Sequence, residues 1–223
     1  MSTFEGFHKD GVGFFHALKM QQSREWFAEH KEDFERLWNA PMKVFLDEMK
    51  PQLQKVYKRK LGDVKVFRIY RDVRFSKDKS PFKTWMAGLI PFAGYGKMEG
   101  PAALYLHLGL ENFIAFGFYQ LEPAQLKRYR AGLLDEKKGS ALQKLVDAAG
   151  KVGMQADALE TLKRPPPGVS PDHPRVELLK QKALGLSTSK IPDSVRYKKT
   201  FAKWVLGQAK VAAPILEWGF KNL

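Results

Sequence analysis

Apolar residues recur at helical spacing through the first sixty residues of the chain. Ser23 can cap a helix, because a serine hydroxyl readily accepts a hydrogen bond from the first helical turn. The apolar positions that follow are Trp26, Phe27, Phe34, Leu37 and Trp38. Pro41 suits the first turn of a second helix, which Pro51 is expected to kink or shorten. This part of the chain is therefore predicted to be helical.

The period changes to two between residues 65 and 120. Strand-like runs there read KVFRIYRDVRF, TWMAGLIPF, AALYLHLGL and FIAFGFYQL, with turn residues between them. Successive strands with short connections pair antiparallel. Helical patterns then return over residues 123–134, 140–149, 174–184 and 193–223, the last starting from an Asp193 cap and bent at Pro214. The prediction is one α+β domain over residues 1–223, with N-terminal helices, a central, mainly antiparallel sheet and C-terminal helices.

Composition narrows the class of protein. At 223 residues and 44% hydrophobic, the chain can bury a substantial core. It has no cysteine, which excludes disulfides, a thiolate nucleophile and Cys-ligated metal sites. It also lacks a long apolar run and a signal-like N-terminus, so we expect a cytoplasmic protein that does not enter a membrane.

The net charge of +14 is concentrated in two regions. Residues 55–83 hold eleven Lys and Arg against three Asp and Glu, and residues 175–221 hold ten against three. Such a field attracts anions, whether phosphorylated metabolites, nucleic acid or acidic protein surfaces. The alternative is that the lysines serve only solubility.

The first strand-like run places an arginine among apolar side chains. If VFRIYRDVRF is a strand, alternate side chains share a face. One face then carries Phe67, Ile69, Arg71, Val73 and Phe75. Burial of the Arg71 guanidinium is costly unless a carboxylate, carbonyls or an anion satisfy it. Arg71 is therefore expected to have a partner.

The opposite face and the loop after it form the candidate binding site. Arg68 and Arg74 flank Tyr70 and Asp72, which leaves a surplus of fork-shaped donors suited to phosphate or carboxylate. The candidate ligand-binding residues are Arg68, Tyr70, Arg71, Asp72, Arg74, Lys77, Asp78, Lys79 and Lys83. We expect residues 68–83 to bind a small anionic ligand, such as a phosphorylated one. The alternative is a structural network of cross-strand ion pairs in an interaction domain without a small ligand.

Candidate general bases are few. The five histidines form no HExxH or HxH pair, and no metal or cofactor motif is found, so no metal site is predicted. Alternation places Tyr105 and His107 on one sheet face, which could adjoin the Arg68 face and form a cleft. Asp72 or His107 would then be the candidate catalytic base, if the protein is an enzyme.

A nucleic-acid-binding module is a second hypothesis. Basic residues interleave with aromatic ones, the mixture that contacts a phosphate backbone and stacks bases. These aromatic residues are Phe67, Tyr70, Phe75, Phe82 and Trp85. However, they also fit a core, and no RNP, KH or zinc-finger pattern is present.

The run RIYRDVRFSKDKSPFK closely resembles the signature of a widespread uncharacterised bacterial and fungal family, the domain of unknown function 2461. The resemblance extends to GFHKDGVGFFHALKMQQSREWFAEHKEDFE, ALYLHLGLENFIAFGFYQLEPAQLKRYR and LKRPPPGVSPDHP. It implies one α+β domain and names no chemistry. The family usually has tyrosine at the position of Phe82 and often histidine at that of Trp85, which weakens any acid–base mechanism that would use those groups.

Overall fold

The protein is described from a computed structural model, which covers residues 3–74, 77–95, 100–156 and 160–223. Its N-terminal helices are α1 (Gly11–Gln21), α2 (Arg24–Glu29), α3 (Lys31–Phe34) and α4 (Ala40–Tyr57), with a π-helical turn, Glu35–Asn39, between α3 and α4. The C-terminal helices are α5 (Pro123–Leu134), α6 (Glu136–Lys151), α7 (Val176–Lys180), α8 (Asp193–Arg196) and α9 (Thr200–Asn222). The strands are β1 (Lys65–Val66), β2 (Trp85–Pro91), β3 (Ala102–Gly109), β4 (Phe113–Phe118) and β5 (Leu184–Thr188).

The five strands form one antiparallel sheet in the order β1-β2-β3-β4-β5. Helices pack against one face of it. Gly88 of β2 lies directly under the Leu46 and Met42 side chains of α4, and Gly219 of α9 lies against Phe118 of β4. Helices before and after the sheet thus share its inner face, and the predicted α+β class is confirmed.

Local sequence signals explain the starts of α2, α5 and α6. The Ser23 side chain accepts a hydrogen bond from the Trp26 N–H, as predicted for a cap. α5 spans the predicted residues 123–134. α6 begins earlier than predicted, because Asp135 rather than Ser140 provides its cap by accepting from the Lys138 N–H.

The predicted helix over residues 174–184 is wrong beyond its first part. α7 ends at Lys180, and the fifth strand follows where Leu184 pairs with Phe118. In this strand Leu184, Leu186 and Thr188 are buried in alternation with Gly185 and Ser187. An alternation of side chains over only five residues is too short to be recognised as a strand directly after a helical pattern.

The predicted single helix over residues 193–223 is two helices. α8 ends at Arg196, whose carbonyl accepts a hydrogen bond from the Phe7 N–H of the N-terminal segment. Gly6 packs against the backbone of Tyr197 at a distance that leaves no room for a Cβ atom. This long-range contact occupies the place where the helix would continue. Asp193 is the first residue of α8 and not its cap.

Two kinds of feature are absent from the residues that the structure describes, namely a membrane-spanning helix and a cluster of metal ligands. None of the described helices is both long and apolar enough to span a lipid bilayer. Within the same residues, no three His, Asp or Glu side chains lie close enough together to hold a metal ion.

Candidate functional site

The described residues between Arg68 and Lys83 form an irregular hairpin beside the β1 edge of the sheet, and we call residues 68–83 the signature hairpin. The predicted strand over residues 65–75 is wrong beyond Val66, since Tyr70 and Phe82 pair only as an isolated bridge. Pro81 contributes to this interruption, because it has no N–H to donate to a ladder. Phe75 and Ser76 lie outside the described residues.

The predicted alternation of side chains is found from Arg68 to Arg74 but is wrong at the start of the run, where Val66 rather than Phe67 packs against the core. Arg68, Tyr70, Asp72 and Arg74 are exposed, whereas Ile69 is buried. Arg71 and Val73 are partly buried. An extended backbone is sufficient for this pattern, because successive side chains point to opposite sides even where no ladder forms.

Arg71 has the partner that its position requires. Its side chain is 28% exposed, and Nη2 lies 3.3 Å from Asp78 Oδ2 and 3.4 Å from the Phe82 carbonyl oxygen. The Nε atom is buried without a hydrogen-bond partner among the described residues. The Arg71–Asp78 pair thus closes the hairpin from within.

Asp72 is engaged by its neighbour Arg74. Arg74 Nε donates to Asp72 Oδ1 at 3.0 Å and Nη2 donates to Oδ2 at 2.7 Å, a bidentate geometry. These hydrogen bonds lower the pKa of Asp72 to about 2. A carboxylate with so low a pKa is a poor proton acceptor at neutral pH, and this geometry disfavours Asp72 as a general base.

The turn of the hairpin is stabilised by its own polar side chains. Asp78 accepts hydrogen bonds from the Ser80 N–H and hydroxyl, at 2.9 and 2.7 Å, which lower its pKa. Lys79 Nζ donates to the Val73 carbonyl at 2.8 Å. Lys77 is exposed. Lys79 therefore contributes to the fold while its charge stays without a carboxylate partner among the described residues.

Gln22 is a residue of this region that the sequence analysis missed. Its side-chain amide donates to the Phe82 carbonyl at 3.3 Å and accepts from the Phe82 N–H at 3.1 Å. Phe82 is buried and its ring stacks on Phe27 of α2 at a centroid distance of 4.5 Å. No chemical pattern marks this glutamine, since a backbone partner sixty residues away leaves no trace in the sequence.

Gln22→Leu is expected to lower the free energy of unfolding by about 1–3 kcal/mol, because the partly buried Phe82 N–H and carbonyl lose their partner. Urea unfolding measures the change, with Gln21→Leu on the exposed side of α1 as the matched control. Equal stability of Gln22→Leu and Gln21→Leu would show that the amide pair does not hold the hairpin.

Lys83 lies where the signature hairpin meets the sheet. Its Nζ donates to the Arg68 carbonyl at 2.9 Å and lies 4.7 Å from the centroid of the Trp85 ring. Burial lowers the pKa of Lys83, and the charges of Arg68 and Arg71 lower it further. In the described part of the chain, no carboxylate is within ion-pair distance of either Lys83 or Arg68. These cations repel one another without a compensating anion.

His107 lies on the sheet between two aromatic rings. It is 6% exposed, with Trp85 at 4.3 Å on one side and Phe113 at 4.6 Å on the other, centroid to centroid. The Tyr105 hydroxyl is 3.5 Å from its Nδ1, and Nε2 is buried with no partner among the described residues. Burial, and then the charge of Lys83, lower the pKa of His107 to about 4. His107 is therefore neutral at pH 7.

The His107 face and the Arg68 face are expected to adjoin each other, and only some of the predicted site residues take part in the contact between them. Lys83 and Trp85 connect the two, whereas Asp72 and Arg74 pair with each other. His107 has no water-accessible nitrogen at Nε2, so the arrangement gives weak support for its use as a general base.

An open groove lies away from the signature hairpin. It has a volume of about 690 Å³ and runs between the end of α4 and α9, beside Arg59 and Phe220. Arg59 pairs with Glu217 at 3.0 Å and stacks over the Phe220 ring at 4.0 Å. The Arg59 charge is thus compensated by Glu217, whereas Lys58 and Lys210 also line the groove.

Comparison with known proteins places the chain in a family. The model of a family described as conserved hypothetical protein (DUF2461) matches residues 10–218, which is most of the chain. The chain belongs to the DUF2461 family. Searches of curated proteins and of solved structures gave no significant match. The DUF2461 match includes Gln22, the signature hairpin and His107.

Proposed function

We propose that the protein binds a small anionic ligand, such as a phosphorylated one, at the edge of the signature hairpin, with Arg68 and Lys83 as its principal contacts. The observation that carries the proposal is the partly buried Lys83 amine, held against the Arg68 carbonyl and facing two arginines without a carboxylate partner in the described structure. A bound anion would relieve this repulsion.

The charge of the hairpin supports the same reading. Residues 68–83 contain six Lys and Arg against two Asp, and both carboxylates are engaged within the hairpin by Arg74, Arg71 and Ser80. Lys79 and Lys83 donate to carbonyl oxygens, which satisfies their hydrogen bonds but leaves their charges uncompensated. The excess positive charge favours an anionic partner.

The ion pairs within the signature hairpin also reduce the number of residues that we assign to ligand contacts. Arg71, Asp72, Arg74 and Asp78 make the hydrogen bonds that shape the hairpin, so we assign them to positioning. Tyr70 and Lys77 are exposed nearby, where they can add contacts. Removal of Arg68 and Lys83 together is therefore a sharper test than removal of Arg74.

Thermal unfolding in the presence of anions tests the proposal. Phosphate, pyrophosphate and citrate, at constant ionic strength, are added to the wild type and to Arg68→Gln/Lys83→Gln. An anion at a hundredfold excess over its Kd adds about 2.7 kcal/mol of stability, which raises the midpoint of unfolding by several degrees. We expect at least one anion to produce such a shift in the wild type and none in the variant.

The matched control is Arg164→Gln/Lys144→Gln, which removes the same charge from exposed positions outside the hairpin. It should keep the wild-type shift. An equal shift in both double variants would place anion binding elsewhere, and no shift in any protein would favour the structural or interaction reading. A response to oligonucleotides alone, declining steeply with salt, would favour the nucleic-acid-binding module instead.

A further inference from the structure

The face of the sheet opposite the helices carries a cluster of aromatic rings. The strand register places Ala87, His107 and Phe113 side by side on this face, and Phe67 joins them through its hydrogen bond to the Ala87 carbonyl. Trp85 and Tyr105 lie on the same face, two residues along the strand from Ala87 and from His107, respectively. We call Phe67, Trp85, Tyr105, His107 and Phe113 the outer-face array.

The outer-face array is separate from the core. Its four residues other than His107 are partly exposed, and none of the five belongs to the hydrophobic cluster that the helices form with the inner face. Large aromatic side chains on an open sheet face bury less apolar area than they could. A contiguous, partly exposed apolar surface beside charged residues is a candidate binding site.

The rings are close enough to form a continuous surface. Trp85 and Phe113 flank His107 at 4.3 and 4.6 Å, and Tyr105 lies 5.6 Å from Phe113 and 6.1 Å from Phe67, between centroids. His107 presents no accessible Nε2 atom. Trp85 and Phe113 each turn one face towards His107, so a planar ligand ring would be contacted by the remaining faces and the edges of these rings, without selection of one edge pattern.

Among the described residues, the two cations that lie over rings of the array are both at one side of it. Lys83 Nζ is 4.7 Å from the Trp85 centroid, and Lys65 Nζ is 4.9 Å from that of Phe67, both on the β1–β2 side. On the far side the same face continues through Ala115, Gly117, Gly185 and Ser187. These residues carry no charge. A nucleic-acid strand that crossed the sheet would need cations along its path, whereas a single anionic group needs them at one place.

We propose that the outer-face array binds the planar ring of a nucleotide-like small molecule whose anionic group contacts Lys83 and Arg68. This inference rests on the proposed anion site and adds the class of ligand that the site takes. The ring stacks on the array beside Trp85 and Phe113, and the phosphate lies at the corner where the signature hairpin meets β2.

Calorimetric titration of the full chain separates the ring from the anion. The probes are adenosine 5′-monophosphate, ribose 5-phosphate and adenosine. Loss of an aromatic stacking contact weakens binding by about tenfold or more, so adenosine 5′-monophosphate should bind about tenfold more tightly than ribose 5-phosphate. Trp85→Leu and Phe113→Leu should each lose this preference while they keep the affinity for ribose 5-phosphate. Trp204→Leu, on α9, is the matched control and should keep both.

Each of the other outcomes supports or overturns one part of the proposal. Equal affinity for both phosphates in the wild type would leave the anion site standing and overturn the ring-binding array. Loss of both affinities in Arg68→Gln/Lys83→Gln supports the joint site, and no binding of any phosphate by the wild type would overturn the anion site itself. A pentaadenylate bound far more tightly than five independent mononucleotides would identify a nucleic-acid strand as the occupant and overturn the small-molecule assignment.

Discussion

Gly117→Ala is expected to lower the free energy of unfolding by about 3 kcal/mol or more. Gly117 of β4 has a φ of +131°, a conformation that residues with a Cβ atom rarely adopt. A Cβ at this position would also collide with the backbone of Leu184 and Gly185 in β5. Both strands would have to separate to admit the methyl group, so the two penalties add.

Chemical unfolding measures this change, and Gly207→Ala is its matched control. Gly207 lies on the exposed side of α9 with no atom within 4 Å of an added Cβ. Alanine there should stabilise the protein by about 0.5–1 kcal/mol, because glycine is the poorer helix former. If Gly117→Ala left the stability close to that of the wild type, the β4–β5 contact would not be as close as described.

The wild type is expected to lose roughly 2 kcal/mol of stability between pH 7 and pH 5, through His107. Its ordinary pKa of 6.5 falls to about 4 in the folded protein. Below pH 6.5 the unfolded chain therefore binds a proton that the folded protein resists. The stability contributed by neutral His107 is present above pH 6.5 and is lost progressively as the pH falls towards 4.

His107→Phe tests this origin of the pH dependence. Phenylalanine keeps a flat ring between Trp85 and Phe113 but cannot take up a proton. Urea unfolding at pH 7 and pH 5 should show a clearly smaller loss in the variant. The other four histidines are present in both proteins, so the difference reports His107 alone. An identical pH dependence in the two proteins would contradict the buried, neutral imidazole.

The sequence predicts the fold where local signals decide it. Ser23, the run TWMAGLIPF and Pro123 mark a cap, a strand and a helix start that the structure has within a residue or two. Prediction fails where distant contacts decide. The backbone of Tyr197 packs on Gly6 and ends α8, and β5 forms because β4 offers it a partner. A single sequence does not show such contacts.

In the candidate site too, the sequence predicts what local patterns decide and misses what distant contacts decide. Alternation along the hairpin correctly exposes Arg68 and Asp72 and shows that Arg71 needs a partner. It does not identify Asp78 as the partner of Arg71. It also does not show that Arg74 forms a salt bridge with Asp72. These pairings depend on how the turn closes, which short polar segments leave undetermined.

The central claim is that Lys83 and Arg68 bind an anion, and nuclear magnetic resonance of ¹³C-labelled lysines tests it directly. Pyrophosphate is titrated at constant ionic strength while the Cε signal of Lys83, assigned from Lys83→Arg, is followed beside that of Lys144. The account predicts a saturable change at Lys83, a rise of its lowered pKa on binding, and no such change at Lys144. Equal, unsaturable changes at both lysines would contradict it.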